Sequence, residues 1–366
     1  MKRKIICFAA AVCLLLGGCS WMDGSYVSVT PHQEQLSAVQ SGDVSARDYL
    51  ELRSALEEMV DSGVESAVIN VAEYKQEMVE RGIRTAVNYI QELYPLGAYA
   101  VDEVEYEIGS GGGQPAIAVE ISYIHGRSEI RQVKEVRNME KAGKAIAVEL
   151  EQCSEGVVLL IDEYEAVDLV QLVEDYAENN PDIVMETPQV AVGIYPDAGT
   201  SRVVELKFTY QTSRDSLRQM QNQVQRIFES AALYVSSDAA DTQKYAQLYT
   251  FLMERSDYQI KTSITPSYSL LNHGVGDCKA FAMVYAAMCR QAGLECQIVS
   301  GTRAGEPWYW NLIQVDGIYY HVDLLQSSAA GWFQKLTDAE MHGYVWDYSA
   351  YPEQESAETE PENISG

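Results

Sequence analysis

Apolar and polar residues follow two periods along this chain. Residues 45–60 carry apolar positions at helical spacing, and the stretch 67–74 then reads as a strand. A helical pattern over 75–94 stops at Pro95, and strands are predicted over 98–108 and 117–123, with a helix beginning near Arg127. The same succession returns as a strand over 157–164, a helix to Asn179, Pro181, strands over 183–195 and 203–210, and a helix from Ser213. A third region follows: a helix over 241–253, a long apolar helix after Cys278 running to Gly293, a strand over 294–300, and a hairpin turning at Asp316–Gly317.

Residue identities strengthen the succession into a repeat. Tyr123, Arg127, Arg131 and Gln132 return as Tyr210, Arg214, Arg218 and Gln219 at a constant offset of 87. Glu73–Tyr74 and Pro95 have counterparts in Glu163–Tyr164 and Pro181. The expected fold class is therefore α+β, with two β-α-β-β-α modules over 45–152 and 153–237 ahead of a C-terminal domain over 238–352. The glycine-rich run 109–113 lacks a following Lys-Ser/Thr and lies between two strands, so it reads as a hairpin loop. Neither module shows a nucleophile or metal-ligand pattern.

The chemistry-bearing stretch is 271–323. Gly274 and Gly276 lead to Asp277, a good N-cap, so Cys278 falls in the first turn of a helix, where backbone N–H groups and the helix dipole favour a thiolate. The two glycines would let a substrate backbone come close. A two-residue turn at Asp316–Gly317 pairs Val315 with Ile318, which sets Trp310 opposite Asp323. Trp308, Trp310 and Leu312 then share a face with His321 and Asp323, and the Cys278 helix is expected to pack over it. A histidine at 308, diagonal to Asp323, could act as a general base; the residue there is Trp308.

Gly276–Asp277–Cys278, Trp310–Asn311, Asp316–Gly317 and His321–Val322–Asp323 together resemble the transglutaminase-like superfamily of papain-like cysteine enzymes. The resemblance covers about residues 240–352 and takes in Trp346–Asp347 and Tyr351–Pro352. It implies a papain-like fold, with the family's cysteine and aspartate carried onto Cys278 and Asp323 and its histidine position falling on Trp308. Tryptophan offers only an N–H donor and accepts no proton. His321, His273 and His342 are the alternative bases, and His321 stands two residues from Asp323 along the strand, a separation of about 6–7 Å.

The N-terminus adds a location. Lys2, Arg3 and Lys4 precede a short apolar run, too short to span a membrane, and Leu16–Gly17–Gly18–Cys19 resembles a bacterial lipobox. The expected mature form begins at lipid-modified Cys19, tethered to the outside of the cell membrane, with 19–44 a linker and the acidic 353–366 a disordered tail. A formal charge of −28 over 366 residues argues against nucleic acid and anionic lipid as partners. Of the cysteines beyond the signal, Cys153, Cys278, Cys289 and Cys296, the last two read as core thiols, with a bridge between them left open. No cofactor is expected and no Cys/His spacing suits zinc.

Two functional classes follow. In the first, a catalytically degenerate domain binds peptide, protein or cell wall in a cleft formed by Gly276, Asp277, Trp310 and Tyr319 beside Trp308. In the second, Cys278 works as an amidase, protease or acyltransferase with a non-standard base. The missing histidine favours the first.

Overall fold

A computed structural model describes residues 44–111, 113–254 and 258–352. The proposed signal, Cys19 and its linker, and the acidic tail lie outside these residues. The fold is mixed α+β, in three successive units.

The first unit comprises α1 (Tyr49–Ser62), β1 (Ser66–Asn70), α2 (Gln76–Glu92), α3 (Pro95–Ala100), β2 (Val101–Gly111), β3 (Gln114–Tyr123) and the short α4 (Arg127–Ile130). Its sheet runs β1-β3-β2, all antiparallel. Asp48 caps α1, accepting from the amides of Leu50 and Glu51, and the helix ends at Gly63 in the left-handed region, φ 60°. Ile117, Val119 and Ile121 of β3 face Ile83, Ala86 and Ile90 of α2 in one buried core. The strand expected over 98–108 begins at Val101. Pro95 at the first helical position starts α3 ahead of it.

The second unit comprises β4 (Lys134–Asn138), α5 (Met139–Glu151), β5 (Gly156–Glu163), α6 (Leu169–Asn179), β6 (Gln189–Tyr195), β7 (Arg202–Thr209) and α7 (Arg214–Tyr234), with sheet order β4-β5-β7-β6. β4 and α5 precede the boundary expected at 152/153 and join this sheet and its core. β4 lies parallel to β5, and α5 buries Ala142, Ile146 and Leu150 with Leu159 and Val173 of the same unit.

Registers in the two sheets correspond residue by residue. Ala67 pairs with Val119 in the first and Val157 with Leu206 in the second, offsets of 90 and 87. Val104 pairs with Ile121, and Val190 with Phe208. A parallel bridge from Ser45 to Asn70 matches the parallel pair Glu135–Leu160, both residues displaced by 90. The preceding helices also begin 90 residues apart, at Tyr49 and Met139.

The third unit comprises α8 (Asp241–Met253), β8 (Gln259–Ile260), α9 (Pro266–His273), β9 (Val275–Gly276), α10 (Cys278–Gln291), β10 (Cys296–Arg303), β11 (Glu306–Val315), β12 (Ile318–Val322), α11 (Leu324–Ala330) and β13 (Tyr344–Trp346). Its main sheet has the order β12-β11-β10-β13. The hairpin turn has φ 53° at Asp316 and 82° at Gly317, and Val315 pairs with Ile318 as its Asp-Gly turn requires. The largest core joins this unit to the second: Leu217, Val224 and Phe228 of α7, with Met185, pack with Tyr245, Phe281 and Tyr285. α7, which ends at Tyr234, thus packs with both units.

Candidate functional site

Asp277 builds the entry to α10. Its backbone is extended, φ −98°, and its Oδ1 accepts from the Ala280 amide at 2.9 Å while Oδ2 takes the Thr262 hydroxyl at 2.8 Å. Cys278 begins the helix, half-buried. Ten successive residues after Lys279, from Ala280 to Cys289, are buried, so α10 is a core helix enclosed on all sides.

The glycines before it serve the chain itself. Gly274 ends α9 in the left-handed region, φ 66°, and its N–H returns to the Leu270 carbonyl at 3.1 Å. A Cβ on Gly276 would stand 3.0 Å from Leu270 Cδ1 and 3.3 Å from Ala280 Cβ. The bare backbone there admits the chain's own helices, where the sequence suggested a substrate.

α10 packs on the sheet face opposite to the expected one. Asn311 Nδ2 donates to the Ala282 carbonyl at 2.9 Å, and Ile313 and Val322 lie in the α10 core. Trp308, Trp310 and Leu312 turn to the other face, into a separate cluster with Val299, Tyr344 and Trp346. Alternation along β11 fixes which residues share a face, but the covering helix is set by the bulk of Phe281, Val284 and Tyr285, which Ile313 and Val315 accommodate.

Asp323 bridges the two faces from the end of β12. It caps α11, its Oδ1 accepting from the Gln326 amide at 3.0 Å. Oδ2 accepts from Trp308 Nε1 at 2.8 Å and the Tyr344 hydroxyl at 2.6 Å, and Arg303 Nη1 lies 3.5 Å away. The side chain is 3 % exposed, so these donors are its environment. The Arg303 guanidinium also stands 5.3 Å from the ring centroids of both Trp308 and Tyr344, cation over π face. Burial first, then the bond to Asp323, pushes the Tyr344 hydroxyl far above its ordinary range and keeps it a donor.

Cys278 and Asp323 line one small cavity with Tyr309, Trp310 and Asn311, and its volume for a water-sized guest is about 0 Å³. Burial raises the Cys278 thiol, the charges of Asp277 and Asp323 add to that rise, and the backbone amides of Tyr309 and Lys279 oppose it. The thiolate expected from the helix N-terminus is therefore disfavoured: desolvation outweighs the amides and dipole.

His321 is fully engaged elsewhere. Trp310 Nε1 donates to its Nδ1 at 2.8 Å, and its Nε2 bonds Asp338 Oδ1 at 2.9 Å. An indole donates only, so Nδ1 is the acceptor and Nε2 carries the proton. Burial lowers the pKa of this ring, against an opposing pull from Asp338. The other aromatic named for the cleft, Tyr319, sends its hydroxyl to Glu295 Oε1 at 3.1 Å and does not line the Cys278 cavity. His273 stacks edge-on to Tyr268.

Tyr344, Arg303 and Asp338 complete these networks, and sequence reasoning missed all three. Tyr344 is one of 24 tyrosines, with no local pattern to single it out. Arg303 lies at the end of β10 opposite Glu306, beyond the strand expected over 294–300. Cys153, Cys278, Cys289 and Cys296 are free thiols. Among the described residues no group of three or more His, Cys, Asp and Glu is placed to hold a metal ion, and no helix is long and apolar enough to cross a membrane.

The family model of the transglutaminase-like superfamily matches residues 229–353. No curated protein matches the chain. Three solved structures are similar over part of it. A TGase shares 11% identity at a TM-score of 0.25, covering 59% of this chain and 63% of its own. A "putative protease" from Parabacteroides distasonis shares 9% at 0.23, over 70% and 39%. A "putative cysteine protease" from Cytophaga hutchinsonii shares 11% at 0.24, over 43% and 70%. This chain thus spans less than two thirds of the first two, and likenesses at such TM-scores add nothing to the family match. Cys278, Asn311 and Asp323 all fall inside the segment, residues 229–353, that matches the transglutaminase-like family model.

Proposed function

We propose that this transglutaminase-like domain is catalytically silent and works as a binding or scaffold module for peptide, protein or cell wall, held outside the cell membrane by a lipid on Cys19. One observation carries the reading. The ring that contacts Asp323 beside Cys278 is the indole of Trp308, bonded through its only polar atom. In the family resemblance that position belongs to a histidine, whose second nitrogen would take the thiol proton. An indole has no second nitrogen, and a general base typically contributes on the order of 10²–10⁴-fold. The raised Cys278 thiol and the closed cavity point the same way. His321, whose two nitrogens are held by Trp310 and Asp338, is no substitute.

The matching registers of the first two units support an internal duplication, and their task in this reading is to carry and flank the third. Two measurements test the proposal. Wild-type protein should release no more product from peptide amides, with or without an added amine, than Cys278→Ala does; activity lost on that substitution would overturn the silent reading. Intact mass of membrane-extracted protein should show an acylated N-terminus at Cys19, and a soluble product beginning elsewhere would overturn the anchor.

A further inference from the structure

β13 pairs with β10 only at Gly301–Arg303, so among the described residues Cys296–Ser300 has β11 on one side and no strand on the other. Alternation settles which backbone groups face that open side. The Ser300 N–H points away from β11, since it donates to the Tyr351 hydroxyl at 3.2 Å. Ile298, two residues back, repeats that orientation. Among the described residues nothing bonds its outward N–H or C=O. Free groups of this kind are a template for strand addition.

Space and charge in front of the edge are suited to a particular guest. A cleft of about 560 Å³ separates β10 from α6 of the second unit, bounded by Asp175, Glu178, Arg290 and Glu295 and floored by Ile298 and Ser300. Five strand residues span about 16 Å, enough for a short extended peptide. Three carboxylates face one arginine there. Glu178 also holds Lys279, the residue after Cys278. Tyr309 lines both this cleft and the Cys278 cavity, so the edge leads to the candidate site.

We propose that an extended peptide carrying a basic side chain adds to Cys296–Ser300 as a fifth strand, with that side chain among Asp175, Glu178 and Glu295. The proposal rests on reading the domain as a binding module and names its ligand class. The chain's own residues 353–366, which follow Tyr351, hold five acids and no basic residue. Their charge has the wrong sign for this cleft.

The test uses fluorescence anisotropy of the mature protein with a labelled seven-residue peptide of valine and threonine around a central arginine. Arginine avoids supplying an amine that could accept an acyl group. The arginine peptide should bind at least ten-fold more tightly than its glutamate counterpart. Methylating the peptide nitrogens along one edge should abolish binding, while methylating the other edge leaves it. Asp175→Lys, an exposed substitution on α6, should weaken binding about ten-fold. Equal affinity for arginine and glutamate, indifference to methylation on both edges, or no binding at all would overturn the proposal. So would binding seen only after residues 353–366 are removed, which would assign the edge to the chain's own tail. Mass analysis of the same peptide separates the two readings. Peptide modified by wild type but not by Cys278→Ala would end the silent reading and leave strand addition standing; intact, unbound peptide would do the reverse.

Discussion

Two carboxylates flank the β11–β12 hairpin, and each holds an aromatic ring. At Asp338 the ring is the His321 imidazole, 2.9 Å away; at Asp323 it is the Trp308 indole, at 2.8 Å. The first pair has the makings of a catalytic dyad, but Trp310 fills the second imidazole nitrogen. In the second pair Asp323 shares a cavity with Cys278, but the ring it holds only donates. A carboxylate behind a ring is therefore insufficient to make a base. The ring must have a free acceptor nitrogen, and that nitrogen must face the nucleophile.

The strongest way to test this contrast is to remove the ring that both clusters border. Trp310 is 1 % exposed, donates to His321, and meets Tyr344 and Trp346 edge-on at 5.2 and 5.8 Å. Trp310→Ala should cost about 4 kcal/mol of stability in denaturant titration, from the cavity and the lost bond. Trp308→Ala, half-buried, should cost clearly less. Equal losses would mean the two clusters do not differ in structural weight.

The carboxylates should then separate. Asp323→Ala strands the donors of Trp308, Tyr344 and Gln326 and should cost about 3 kcal/mol. Asp338 is 37% exposed, so water can replace it at the imidazole, and Asp338→Ala should cost about 1 kcal/mol.

Mild acid probes the His321 cluster through its imidazole. Its folded pKa lies below the ordinary value of about 6.5, with burial as the main cause. Below pH 6.5 the unfolded chain binds a proton that the folded chain refuses, so stability should fall with pH until the folded pKa is reached. The slope from this one group is at most about 1.4 kcal/mol per pH unit. His321→Gln keeps an acceptor for Trp310 and a donor for Asp338 and should flatten the fall. An unchanged slope would place the acid sensitivity elsewhere.

Much of the third unit was legible because local chemistry decided it. Asp316–Gly317 fixes the hairpin register with two positive-φ positions, and Asp277 fixes the start of α10. The face that α10 covers was not legible. Alternation divides Trp310 from Asn311 without saying which side a helix will choose. Tyr344 joins Asp323 from 21 residues away, through a segment whose path depends on β13 pairing with β10. In the first half, the offset of 87 found β3 and β7, but the preceding helices repeat at 90, and that difference hid that β4 and α5 join the second sheet and its core.

Trp308→His changes stability little and is the sharpest test of the contrast. An imidazole at 308 can donate one nitrogen to Asp323, as the indole does now, and offer the other to the neighbouring thiol. It is also smaller than an indole, so it loses packing against the Trp310 and Tyr344 cluster and should cost about 1–2 kcal/mol. Burial and the acidic neighbours that raise the Cys278 thiol remain, so the substitution need not produce an efficient enzyme. It should nevertheless lower the pH midpoint for alkylation of Cys278 and speed that reaction about ten-fold near neutrality, since the thiolate is the reacting form. The buried thiols Cys153, Cys289 and Cys296 should stay unlabelled in both proteins, which mass mapping will report. His321→Gln should leave the Cys278 midpoint where it is in either background, because that imidazole serves Trp310 and Asp338. A midpoint that does not move in Trp308→His would mean that position 308 faces Asp323 but not the thiol. The absence of a base would then lie in the placing of α10 on the far face of the sheet, with the identity of one residue a secondary matter.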